Sequence, residues 1–178
     1  GLEKMLGGME DNAAELTRAI TRTENLPLFL FNIFVVALLP AMGEEMIFRG
    51  ALMPIIIKWT GKKHTGVWVS AALFSAMHMQ FYGFIPRMML GALLGYLFLW
   101  SRSLWAPIAA HFTNNALAVF LLFLMSRGKI SEELDSFEPA GFDFLWLLIS
   151  LGLIAGILYL VYKRRNREVL PSLETNED

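Results

Sequence analysis

The chain has 178 residues, of which 56% are hydrophobic and 17% charged, with a formal net charge of −1. Apolar content above the usual ~45–50% and charge below the usual ~25% exclude a disordered or fibrous protein and argue against a soluble globule. The near-neutral charge excludes a nucleic-acid partner, which needs a basic face. The absence of cysteine removes disulfides, thiolate zinc sites and a cysteine nucleophile. The mean hydropathy of +0.51 and the charge-poor middle of the chain are those of a polytopic membrane protein.

In chain order, residues 1–25 form a polar juxtamembrane segment. Within it, 9–24 place Met9, Ala13, Leu16 and Ile20 at helical spacing, as in an interfacial helix or a linker. Five membrane helices are then predicted, over about 27–58, 64–81, 84–101, 105–126 and 143–162, each in an apolar stretch near the ~20 residues that a bilayer demands. The fold class is all-α, a polytopic transmembrane helical bundle. Residues 26–126 are its core, 127–143 an acidic extracytoplasmic loop, 144–162 the final transmembrane helix, and 163–178 a basic-to-acidic cytoplasmic tail. The first helix is too long for one straight crossing and contains Pro40 and Pro54, which predict a kink or break. Gly91/Gly95 and Gly152/Gly156 match GxxxG, a pattern for close backbone packing.

Lysine and arginine bias sets the orientation. Lys58, Lys62, Lys63, Arg102 and the Lys163–Arg167 cluster fall on one side, read as cytoplasmic. The other side carries Arg87 and the 127–143 segment, whose Glu132, Glu133, Asp135 and Glu138 outnumber Arg127 and Lys129. This puts residues 1–25 outside. Since the chain starts at Gly1 without a signal-peptide pattern, one or more upstream helices are expected to precede it.

Ionisable groups at membrane depth are functional candidates by default. Here they are Glu44, Glu45 and Arg49 in the first helix, His78 late in the second, and His111 with Asn115 in the fourth. Glu45 and Arg49 are four apart and can pair on one face; Glu44, rotated by about 100°, needs a partner from another helix. A purely structural bridge is the alternative, and a poor one for two adjacent carboxylates and one cation. Counted at 1.5 Å per residue, Glu44 and His78 lie ~20 Å from the Lys58–Lys63 loop, but His111 only ~13 Å beyond Arg102. A shared site therefore needs tilted helices or an inset Ser101–Ser103 turn.

Carboxylate and histidine together can activate a water, and a histidine with an amide can stabilise an oxyanion. That equipment suits peptide hydrolysis without a covalent nucleophile. No HExxH, no aspartate within a span and no Gly-x-Ser element occur, so the zinc-helix, two-aspartate and rhomboid-like serine designs are absent.

Glu44-Glu45-Met-Ile-Phe-Arg49, Phe74-x-x-x-His78 and His111-x-x-x-Asn115 resemble the EExxxR, FxxxH and HxxxN motifs of the CAAX-protease and bacteriocin-processing (CPBP, or Abi) family, to which the Rce1-type CAAX prenyl endopeptidases also belong. The resemblance covers about residues 28–120. It implies an intramembrane glutamate-type endopeptidase in which Glu44 and His78 activate water, His111 and Asn115 form the oxyanion hole, and Glu45–Arg49 is mainly a structural pair. It also implies more helices than five.

No cofactor is expected. A zinc ion on Glu44, His78 and His111 is the alternative, family members often being labelled metalloproteases. The expected partners are the lipid bilayer and a membrane-embedded or membrane-associated peptide or protein substrate. The expected location is a bacterial plasma (inner) membrane. Two other classes of function remain open: a non-catalytic scaffold or peptide-binding immunity protein, and a transporter component with a proton relay.

Overall fold

The computed structural model describes residues 7–8, 21–81 and 83–129. Among them the elements are helices and no strand occurs. Four dominate: α1 (Leu26–Thr60), α2 (Lys63–Met77), α3 (Phe84–Ser101) and α4 (Trp105–Ser126). Helices α1, α3 and α4 are long and apolar enough to cross a membrane, so the protein is a multi-pass, all-α membrane protein.

α1 starts with Pro27 in its first turn, where a missing N–H costs nothing. It ends at Gly61, whose φ of 67° suits a glycine and whose N–H closes the last turn on the Ile57 carbonyl at 2.8 Å. The expected break does not occur, and the helix runs on through both prolines. Two π-helical segments, Ile33–Leu38 and Met46–Leu52, immediately precede Leu39-Pro40 and Met53-Pro54. The Leu39 N–H reaches back five residues to the Phe34 carbonyl, and that of Met53 to Phe48. A proline lacks a donor and crowds the carbonyl four residues earlier; widening the preceding turn makes room for the ring without ending the helix. Where Ser70 faces this region, its hydroxyl donates to the Phe48 carbonyl at 3.3 Å, an intramembrane use of a small polar side chain.

α2 differs from expectation at its far end, stopping at Met77 instead of continuing to residue 81. Its last turn closes on itself. The His78 ring nitrogen Nδ1 donates to the Phe74 carbonyl at 2.9 Å, and Met79 enters the left-handed region at φ 54°. At 15 residues, α2 is about 22 Å long.

α2 and α3 pack as a hairpin, with Met53 of α1 joining Val67, Ala71 and Ala92 in the buried core. The Gly91/Gly95 face permits the close approach. A Cβ on Gly91 would sit 3.2 Å from Ala71 Cα and Phe74 Cδ1. α4 lies along the first half of α1, with Phe29 stacked on Phe123 at 4.3 Å and Ser126 Oγ donating to the Thr23 carbonyl at 2.6 Å. The expected helix over 9–24 (apart from its last residues), the acidic loop beyond residue 129, the last membrane helix with its second GxxxG, and the 163–178 tail lie outside the described residues.

Gly91→Ala should destabilise the hairpin by about 1–3 kcal/mol, the usual cost of overpacking a tight contact. Gly43→Ala, with nothing within 4 Å of its would-be Cβ, should leave stability equal or slightly higher. Thermal unfolding of the two variants in the same detergent checks the contrast.

Candidate active site

Glu44 and Glu45 end the α-helical segment of α1 that leads into its second π segment, and Arg49 lies within that segment. The Arg49 Nη1 donates to Glu45 Oε1 at 2.7 Å, and both side chains are 0% exposed. A buried ion pair leans on additional hydrogen bonds. Arg49 Nη2 donates to the Gly91 carbonyl on α3 at 2.7 Å, while Arg49 Nε and Glu45 Oε2 are buried without a hydrogen-bond partner. The guanidinium also lies 4.9 Å from the centre of the Phe74 ring on α2, within cation–π range.

His111, from α4, completes the cluster. Its Nδ1 is 2.9 Å from Glu45 Oε1 and its Nε2 is 3.8 Å from Glu44 Oε2. A carboxylate paired with arginine can only accept, so Nδ1 carries the proton. The second contact is too long for a hydrogen bond, and the imidazole therefore stands between two unequal acids. Glu45 is committed, its Oε1 receiving both Arg49 and His111. Glu44 has a side chain 21% exposed, and its Oε2 is a buried oxygen without a hydrogen-bond partner.

His78 approaches from α2 by a different route. Its Nδ1 donates to Phe74 O, which leaves the Nε2 lone pair available. Phe74 meets His78 edge-on at 5.1 Å and His111 edge-on at 5.7 Å between ring centres. The two histidines thus flank one aromatic ring. His78 makes no ion pair with Glu44 or Glu45 among the described residues. Asn115 is half-buried one turn beyond His111, and its Oδ1 accepts from Asn114 Nδ2 at 3.3 Å.

The difference in counted depth between Glu44 and His111 is taken up by an inset turn. The Cβ position of Gly50 lies 3.4 Å from Leu104 Cδ1, so α4 begins beside the middle of α1, about 12 Å along it from Lys58. Two contributors were not assigned a chemical role from sequence. The Gly91 carbonyl is a backbone group, which no side-chain pattern reveals; its GxxxG context signalled only close packing. Phe74 opened a motif, yet its place between the histidines and the guanidinium is a tertiary fact.

Among the described residues, no group of three or more His, Cys, Asp or Glu side chains is arranged to hold a metal ion.

Over residues 26–117 the chain matches the model of the family described as type II CAAX prenyl endopeptidase Rce1-like. It is 32% identical over 129 residues to the uncharacterized protein YpbD of Bacillus subtilis (strain 168), an alignment covering 69% of this chain and 61% of that protein. The chain thus spans less than two thirds of that relative's length. No solved structure matches it.

The asymmetry between the acids predicts opposite stability effects. Glu45→Gln leaves the fully buried Arg49 without a counter-charge and should cost about 3–5 kcal/mol. Glu44→Gln, at a partly exposed and unbonded carboxylate, should change stability by less than about 1 kcal/mol. Unfolding midpoints of the two variants decide it.

Proposed function

Because the chain belongs to the family of Rce1-like type II CAAX prenyl endopeptidases, we propose that it is an intramembrane endopeptidase that cleaves a membrane-associated peptide or protein with an activated water. The observation that carries this reading is the buried, unpartnered Oε2 of Glu44, held 3.8 Å from His111 Nε2 in a cluster whose other acid is already neutralised. A base needs a free lone pair within reach of a water, and Glu44 is the partly exposed acid, whereas Glu45 is fully buried and ion-paired to Arg49.

In this reading Glu44 takes a proton from water with the help of His78 Nε2, and the water oxygen bonds to the scissile carbonyl carbon. The tetrahedral oxyanion is met by His111 and Asn115 from α4. Acting as a donor through Nε2, His111 carries protons on both ring nitrogens. Two carboxylates and one guanidinium leave a single negative charge in the cluster, which that imidazolium balances. Collapse of the intermediate breaks the C–N bond, and the proton held by Glu44 passes to the departing amine. Glu45, Arg49 and the Gly91 carbonyl act as positioning groups: they fix the His111 ring through Nδ1 without touching substrate. No step requires a metal, and catalysis should survive chelators.

Glu44→Gln should lower cleavage by about 10²–10⁴-fold, the usual loss on removing a general base, while leaving the unfolding midpoint in place. Peptides released from membranes carrying the wild type or the variant, compared by quantitative mass spectrometry, would identify substrates and test the base together. Equal release from both membranes would refute the mechanism, and would favour a binding or scaffold role.

A further inference from the structure

Helices α1 and α4 continue well past the buried cluster, whereas α2 and α3 do not. Phe74 is level with Phe48 and Arg49, its ring 5.3 Å from that of Phe48 and 4.9 Å from the guanidinium. One turn later α2 ends at Met77. From the same level α1 runs back to Leu26 and α4 runs on to Ser126, and neither 26–43 nor 112–126 contains a charged residue. Those stretches add roughly 20 Å or more of apolar helix on that side. With Lys62 and Lys63 at one membrane surface, the ~22 Å of α2 falls about 8 Å short of a ~30 Å hydrocarbon core, and the ~27 Å of α3 about 3 Å short. Tilting α2 would only increase the shortfall.

A turn at that depth cannot use water for its polar groups and must satisfy them internally. The α2–α3 turn does so. Ser75 Oγ donates to the Phe84 carbonyl at 2.6 Å; the N–H groups of His78, Met79, Phe84 and Arg87 find the carbonyls of Ser75, Ala76, Phe81 and Gly83. The guanidinium of Arg87 folds back to donate to Gln80 Oε1. Its apolar side chains do the opposite and face outward: Met79 is 70% exposed, Ile85 57%, Met77 53% and Met89 45%. In water, this density of exposed large apolar groups would be a liability. Against acyl chains it is what the surroundings demand.

We propose that the α2–α3 turn, residues 78–81 and 83, is embedded in the hydrocarbon of the membrane, with Met77, Met79, Ile85 and Met89 against lipid acyl chains. The surface is thus a lipid contact formed by a helical hairpin that stops short of the far side. It places His78, which closes α2, beneath a layer of lipid. If the endopeptidase reading holds, a substrate segment approaching His78 from this side arrives through the bilayer; the embedding itself does not depend on that reading.

The 178-residue sequence contains no cysteine, so single cysteines can be introduced into it without removing any. Met79→Cys and Ile85→Cys would each carry a nitroxide in reconstituted phosphatidylglycerol/phosphatidylethanolamine vesicles, with Lys62→Cys as the aqueous reference and Leu73→Cys as the mid-helix lipid reference. Power saturation with oxygen and with a water-soluble nickel chelate reads the depth. Labels at 79 and 85 should favour oxygen over the chelate several-fold, as at 73, with the ratio reversed at 62. Chelate accessibility at 79 and 85 matching that at 62 would overturn the proposal, because the turn would then lie in water. Low accessibility to both reagents would overturn it equally, because protein would then cover the turn. Two label sites keep the result readable if one variant fails to fold.

Discussion

The described helices converge on one buried ion pair, Arg49–Glu45. Its guanidinium and carboxylate are both wholly removed from solvent, and such a pair holds only with further contacts from its neighbours. Three other helices are fixed by that requirement. α3 must come close enough for the Gly91 carbonyl to accept Nη2, α2 must present the Phe74 ring face, and α4 must bring His111 to the second side of Glu45 Oε1. Gly91 is therefore doubly constrained. Its missing side chain allows the α2–α3 contact, and its carbonyl accepts from the arginine.

The same constraint explains the shape of α1. A break at Pro40 or Pro54 would separate the acids from their partners, but each proline is preceded by a π segment whose capping N–H reaches five residues back. The backbone stays continuous through the region that holds Glu45 and Arg49. Local widening is a small distortion beside a broken ion pair at membrane depth.

Neutralising Glu45 leaves Glu44 distinct. Two neighbouring carboxylates on one helix end up with unlike surroundings, one fully buried between Arg49 and His111, the other partly exposed and 3.8 Å from His111. Division of this kind is how a site obtains both a rigid frame and a reactive group from the same residue type. His111 links the two, with one ring nitrogen on each acid's side.

Much of this was legible in the sequence. The apolar stretches located α1, α3 and α4 to within a few residues, because a span is a matter of length and hydropathy that neighbours barely alter. The i, i+4 spacing of Glu45 and Arg49 announced their pairing, since that contact lies within one helix. Three things were settled only by tertiary structure. α2 stops at Met77 because His78 caps its own carbonyl and Met79 turns left-handed, although the apolar run continues beyond it. Pro40 and Pro54 sit within a continuous helix instead of breaking it, each preceded by a π segment. The position of His111 between Glu44 and Glu45 requires the inset start of α4 beside Gly50. Sequence determined which polar groups enter the membrane, because burying each is costly enough to stand out against an apolar chain. Which of those groups face each other was decided by helix length, inset and close packing, none of which is written in local spacing.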